Sequence, residues 1–294
     1  MGPRENLEMP TISERVAAAR ELLLNAGIGQ VEADMSARVL AQHALGWVTS
    51  RYFTSANETE PPEFAHRYGG FVERRAAREP AAYIIGLREF WGLDIEVTPE
   101  VLIPRAETEL IVEAVLELVG DNRDRPLALA DACTGSGCVA VALALELPKT
   151  SIVATDISER ALEVARRNSA RHGVGGRIRF VCTDVLAGLD GPFDVIVGNP
   201  PYVRVGDRPA LQPEVRDHEP AVALFGGDSG AEVMATLVEQ AVNRLRPGGH
   251  LIFEFGFGQE MVAEELVGRT TGLAMIDLRR DLQGLARTAI AKRR

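Results

Sequence analysis

The tetrapeptide Asn199-Pro200-Pro201-Tyr202 carries groups suited to chemistry on a planar –NH2 nitrogen. Such a nitrogen, conjugated with a carbonyl or a ring, has a delocalised and poorly nucleophilic lone pair. It must be oriented and its lone pair re-localised before it can attack. The side-chain oxygen of Asn199 and the backbone carbonyl of Pro200 can each accept one N–H, turning the lone pair toward an electrophilic methyl for in-line displacement. Pro200 and Pro201 stiffen the arrangement through their fixed φ angles, and the ring of Tyr202 can pack on a flat amide or base. No strong base is required, because an alkylated amide or aniline-like cation sheds its proton readily. An isolated Asn-Pro-Pro-Tyr would read as a rigid turn, so its neighbours decide.

Upstream, the strand-like run LALAD (127–131) leads into Cys133-Thr134-Gly135-Ser136-Gly137-Cys138, a glycine turn opening a helix where a ligand can approach the backbone. Gly135, Gly137 and Ala140 satisfy the dinucleotide pattern GxGxxA, and Asp156 follows about 20 residues on, where a carboxylate grips ribose hydroxyls. Both NAD and S-adenosylmethionine fit these residues. Asp131 tips the reading: a carboxylate at the strand end repels a diphosphate and suits the amino group of S-adenosylmethionine. Asp184, at the end of the third strand, can accept from an adenine amino group; a strand-end turn cap is its bland alternative.

These residues need a scaffold that brings strand ends together. After about Pro104 strand and helix signals alternate: LALAD, a helix from Val139, SIVATD (151–156), a helix from Glu159, RFVCTD (179–184) and FDVIVGNPPY (193–202). Such alternation implies a parallel sheet with covering helices. A helix near 230–245, the turn Arg246-Pro247-Gly248-Gly249 and strands HLIFEF and RTAIA complete it. Before it, Thr11-Ile12-Ser13-Glu14 is a capping box opening a helix. Helical stretches at about 31–45 and after Pro61-Pro62 follow, so residues 1–78 read as a small helical bundle. Short β-like pieces, YIIG and REFWGLDIEV, mark 79–103 as a hairpin linker, leaving 104–294 as the catalytic domain.

Composition narrows the classes. With 294 residues, 46% hydrophobic and 25% charged, the chain is an ordinary globular one rather than disordered or disulfide-stapled. No apolar run approaches the ~18 residues of a membrane span, and the opening MGPRENLEMP lacks a secretory pattern, so the expected compartment is the cytoplasm. A net charge of -10 without a basic tail disfavours binding along nucleic-acid phosphates. The lysines, Lys149 and Lys292, sit in no motif. The cysteines Cys133, Cys138 and Cys182 form no CxxC pair, and the histidines are scattered, so neither Schiff-base chemistry nor a metal site is expected.

Taken with their flanks, these motifs resemble the bacterial glutamine N5-methyltransferases that modify release factors, the PrmC/HemK family. The likeness covers nearly the whole chain. It includes Glu79-Pro80 with Tyr83, Arg88-Glu89-Phe90-Trp91, Ile103-Pro104-Arg105-Ala106-Glu107-Thr108-Glu109, the glycine turn, Asn199–Tyr202, Glu219-Pro220 with Ala223-Leu224, and Arg280-Asp281-Leu282 with Gly284. The departures are Ala106 for a usual proline, Glu107 for a usual aspartate and Cys133 for a usual glycine. The run Cys133–Cys138 is similar instead to sister enzymes that methylate a glutamine of a large-subunit ribosomal protein.

The resemblance implies a Rossmann-like class I S-adenosylmethionine-dependent methyltransferase fold, a seven-stranded, mostly parallel sheet with an antiparallel edge. It implies methylation of the side-chain amide nitrogen of the glutamine in the Gly-Gly-Gln motif of class I peptide chain release factors, with the helical domain helping to hold that protein substrate. Cofactor positions map onto Asp131, Cys133, Thr134, Gly135, Ser136, Gly137, Asp156, Asp184, Val185 and Asn199. The substrate clamp maps onto Asn199, Pro200, Pro201 and Tyr202, with Asn199, Pro200 and Tyr202 catalytic. Arg105, Arg216 and Glu219 either order loops over the cofactor or contact the incoming substrate, or are solvated or mutually paired loop charges. Phe90 and Trp91 read as core anchors. The alternatives are a ribosomal-protein glutamine and the N6 of adenine in DNA or RNA, whose amino group the same clamp accepts.

Overall fold

The computed structural model describes residues 9–294; the opening residues 1–8, read above for a targeting signal, lie outside the described residues. The chain divides into two compact units, one running to Gly86 and including 213–218, the other comprising 87–212 and 219–294.

The first unit is helical: α1 Ile12–Asn25, α2 Gln30–Leu45, α3 Thr49–Ser55, α4 Phe64–Ala76 and α5 Ala81–Ile85. The capping box of α1 is complete, with Thr11 and Glu14 each accepting the other's backbone N–H. Ile12, Leu23, Leu40, Phe64 and Tyr68 form its apolar core, and the Tyr68 hydroxyl donates to the Ala37 carbonyl at 2.9 Å. Two elements differ from expectation. The short helix α3 carried no periodic signal. YIIG, expected as β-like, falls largely within helix α5, because the Pro80 carbonyl accepts the N–H groups of Tyr83 and Ile84 and Gly86 closes the turn in the left-handed region. Residues 79–86, assigned by pattern to the linker, thus belong to the helical unit. Over four residues a strand and a helical turn leave the same apolar trace.

The second unit starts with an antiparallel hairpin, β1 Leu87–Phe90 and β2 Leu93–Glu96. Its further elements are α6 Glu109–Val119, β3 Leu127–Ala132, α7 Cys138–Glu146, β4 Thr150–Asp156, α8 Glu159–Arg171, β5 Ile178–Cys182 and β6 Phe193–Gly198. After these the chain forms α9 Pro213–His218, which groups with the helical unit. Returning, it forms α10 Ala221–Leu224, α11 Glu232–Val242, β7 Leu245–Glu254, α12 Glu260–Arg269, β8 Leu273–Arg280 and β9 Ala286–Arg293. Seven strands make one sheet in the order β5-β4-β3-β6-β7-β9-β8, with β9 antiparallel to both neighbours. Strand β8 had no clear sequence signal: exposed and half-buried positions dominate it, as befits an edge. The residues expected as a turn, Arg246–Gly249, lie instead inside β7, as an irregularity between the pairs Phe193–Leu245 and Val195–His250.

Strand order reverses between β3 and β6, whose ends are adjacent: Asp131 pairs with Val197 and Ala132 with Gly198. A crevice outside the carboxyl ends of strands at such a switch point is where open α/β sheets bind ligands.

Candidate active site

A cavity of about 210 Å³ opens at this reversal. Among the residues singled out in the sequence, Asp131, Cys133, Thr134, Gly135, Ser136, Asp156, Asp184, Val185, Asn199 and Pro201 line it; Gly137, Pro200 and Tyr202 do not.

The floor is the β3–α7 turn. Asp131 is buried, and its carboxylate accepts from the Thr134 hydroxyl at 2.6 Å. Burial pushes its pKa up to about 7, Asp156 adding to the rise and the Thr134 bond opposing it. Asp156, at the tip of β4, accepts the backbone N–H groups of Gly135 and Ser158, each at 2.9 Å, and burial raises its pKa as well. Cys133 adopts φ +58, a left-handed conformation that glycine takes freely. Its thiol is driven up by burial and by the surrounding carboxylates, so it stays protonated and unreactive.

Gly137 has a different task from its neighbours. It caps α7 at φ +79, and a Cβ there would lie 2.9 Å from the Ala165 Cβ on α8. Its bareness permits turn and helix to pack. Val185 has φ +52 and its carbonyl accepts from Thr155, while the Asp184 side chain is exposed at the cavity edge.

On the other side of the reversal, Asn199 follows β6 directly. Its Nδ2 donates to Thr108 Oγ1 at 3.1 Å, and Thr108 Oγ1 donates to Glu254 Oε2 at 2.6 Å. The Tyr202 hydroxyl donates to Glu254 Oε1 at 3.1 Å, and its ring lies so close to Gly256 that a Cβ there would come within 2.9 Å of it. Burial and the adjoining Glu254 raise the Tyr202 pKa, keeping the phenol neutral.

The loop charges sort themselves. Glu219 is buried and accepts from Arg105 at 2.5 Å and from the Ile103 backbone at 3.2 Å, so it orders the Ile103–Arg105 segment, from which Arg105 reaches the cavity. Arg216 pairs with Asp217 and does not line this cavity. Phe90 is buried, and Trp91 donates its backbone N–H to Glu109 and its indole N–H to Glu146.

Three residues that buttress the candidate site carry no sequence signal. Thr108 sat inside a recognised stretch without a role, and Glu254 looked like one more residue of a strand. Asn168 on α8 is fully buried and bonds both the N–H and carbonyl of Glu96 as well as the Ser136 carbonyl, tying hairpin to glycine turn. Long sequence separations hide all three.

The lining suits a cationic nucleoside: a buried carboxylate for an ammonium, a strand-end carboxylate for a diol, and Val101, Leu102, Ile157 and Val185 for a flat base. Among the described residues there is no cluster that would hold a metal ion, and no helix is long and apolar enough to cross a membrane.

Comparison with known proteins agrees. Residues 14–86 match the family described as PrmC N-terminal domain, and 108–212 the family described as Methyltransferase small domain. In fold the chain is similar to a methyltransferase from Pyrococcus furiosus, with TM-score 0.52 and 21% identity over 78% of this chain and 98% of that one. Sheet order, switch-point cavity and domain match define a class I S-adenosylmethionine-dependent methyltransferase.

The chain is 40% identical over 265 residues to a release factor glutamine methyltransferase of Bradyrhizobium diazoefficiens, covering 89% of each. It is also 40% identical over 272 residues to the one of Bordetella pertussis, covering 91% of this chain and 96% of that one. It belongs to the release factor glutamine methyltransferase family.

Proposed function

We propose that this enzyme methylates the side-chain amide nitrogen, N5, of the glutamine in the Gly-Gly-Gln motif of class I release factors, in the cytoplasm. The observation that supports this most is the position of Asn199: an amide acceptor on the cavity wall, one residue beyond the strand that neighbours Asp131. The names of its relatives supply the substrate class.

In this reading Asp131 takes the cofactor's ammonium, the Cys133–Gly137 turn its amino-acid end, Asp156 its ribose and the Asp184-Val185 pair its base. When bound, S-adenosylmethionine supplies an electrophilic methyl carbon. Asn199 Oδ1 and the Pro200 carbonyl accept the two hydrogens of the glutamine amide, drawing its nitrogen lone pair out of conjugation and aiming it. The nitrogen would gain the methyl group as its bond to the sulfonium sulfur breaks, leaving a neutral thioether, and would release one proton, acidic enough once alkylated to need no dedicated base. Neither a nucleic acid nor a membrane has a role, in keeping with the net charge of -10.

The test is incubation with isotopically labelled S-adenosylmethionine, a purified class I release factor, a large-subunit ribosomal protein and DNA, followed by mapping the label by mass spectrometry. Methyl on the Gly-Gly-Gln glutamine is expected. Label only on the ribosomal protein, or only on adenine, would overturn the substrate assignment.

A further inference from the structure

An asparagine used as an acceptor faces a polarity problem. Its side chain ends in an oxygen and an NH2 of nearly the same shape, and only the oxygen can take an N–H from a substrate amide. Turned the other way, Asn199 would offer hydrogens to hydrogens. Something must hold it one way round.

The hydrogen-bond chain behind it does so by counting protons. A threonine hydroxyl has one hydrogen to give. That of Thr108 goes to Glu254 Oε2 at 2.6 Å, a short bond. Thr108 therefore meets Asn199 with a lone pair, and the group it faces at 3.1 Å must be the NH2. Oδ1 is left for the cavity, which Asn199 and Thr108 both line. The other carboxylate oxygen of Glu254 receives the single hydrogen of Tyr202 at 3.1 Å. Glu254 accepts twice and donates nothing, and it is only 2% exposed, so water does not compete for its oxygens. Thr108, the Asn199–Tyr202 tetrapeptide and Glu254 come from three separate stretches of chain, and Glu254 is where the bonds converge.

We propose that Glu254 is a positioning residue that fixes the polarity of the acceptor clamp. Through Thr108 it turns the Asn199 oxygen toward the substrate, and through Tyr202 it ties down the far end of the tetrapeptide. This rests on the reading that Asn199 accepts from the glutamine amide. It carries a specificity: a clamp of fixed acceptors takes –NH2 and refuses a carboxylate. A glutamate in the glutamine's place would set lone pairs against Oδ1.

Glu254→Gln reverses the wiring. With its NH2 turned to Thr108 and its oxygen kept for the Tyr202 hydroxyl, the introduced amide makes Thr108 give its hydrogen to Asn199 and turns the Asn199 NH2 toward the substrate. Thr108→Val removes the relay without changing shape much, and Thr108→Ser keeps the hydroxyl. In the full-length enzyme with an intact release factor, Glu254→Gln and Thr108→Val are each expected to lower kcat by about 30-fold, with the Kd for S-adenosylmethionine within about threefold of wild type. Thr108→Ser is expected to stay within about threefold in kcat. A release factor carrying glutamate at the methylated position should inhibit Glu254→Gln about tenfold more tightly than wild type, an effect that loss of stability alone cannot produce.

If Glu254→Gln fails to fold, the Thr108 pair decides. Wild-type turnover by Thr108→Val, or equal losses in Thr108→Val and Thr108→Ser, would overturn the inference while wild-type methylation of glutamine still upheld the function. A wild-type enzyme that leaves the glutamine unmethylated would overturn the functional reading itself.

Discussion

The two walls of the cavity are built on different principles. The cofactor wall, on β3 and β4, is local: Asp131, Thr134 and Gly135 lie within a few residues of one another, and Asp156 closes the turn by accepting the Gly135 N–H at 2.9 Å. Backbone conformation does the shaping there. The acceptor wall, on β6 and β7, is a relay of side chains, with Asn199, Thr108 and Glu254 drawn from distant parts of the chain. In the proposed reading the first wall recognises a fixed small molecule through shape and charge. The second must impose a direction on hydrogen bonds, which only a chain of donors and acceptors with fixed proton positions can do.

Four changes probe the cofactor wall, and each should leave the acceptor relay untouched. Gly137→Ala combines a strained φ of +79 with a contact of 2.9 Å to the Ala165 Cβ, and is expected to lower unfolding stability by about 3 kcal/mol, read from denaturant melts. Asp156→Ala should weaken S-adenosylmethionine binding by about 100-fold in calorimetry, the loss of charged hydrogen bonds to a diol. Unchanged affinity would show that the carboxylate serves only the turn.

The third is a pH effect. Asp131, pushed up to about 7 by burial, is half protonated near neutrality, and an ammonium ligand favours its ionised form. Affinity should therefore rise about tenfold per pH unit on approaching pH 7 from below and then level off, with proton release on binding. Stability of the free protein has the opposite sign: a folded pKa above the unfolded one makes this group's contribution fall as pH rises through about 7. Asp131→Asn should flatten both curves. Smallest is Cys133→Gly, which relieves a left-handed residue at φ +58 and should stabilise by about 0.5 kcal/mol after the added chain entropy of glycine, measured as a small rise in Tm.

The same contrast explains what the sequence disclosed. Parallel sheet, strand order of the motifs and the cofactor wall were legible because alternating elements and a glycine turn leave local patterns, and the resemblance extended these to the whole chain. Asn199 was legible through its prolines. Its orientation was not, since Thr108 is 91 residues away and Glu254 lies 55 residues further on than Asn199, so no spacing rule joins them. Helix α5 is too short for its pattern to differ from a strand's, and edge strand β8 has too few buried positions to leave a pattern. Arg105 and Glu219 were noticed as charges, but the burial of Glu219 that makes it an organiser of the Ile103–Arg105 segment appears only when the chain is folded.

The central claim is that one wall binds the methyl donor and the other orients the acceptor. Asn199→Ala separates them in a single protein: its Kd for S-adenosylmethionine and its single-turnover rate on a release factor are measured side by side. The expected result is a rate lowered by at least about 100-fold with cofactor affinity within about threefold of wild type. Equal losses of affinity and rate would contradict the division and make Asn199 a cofactor ligand first.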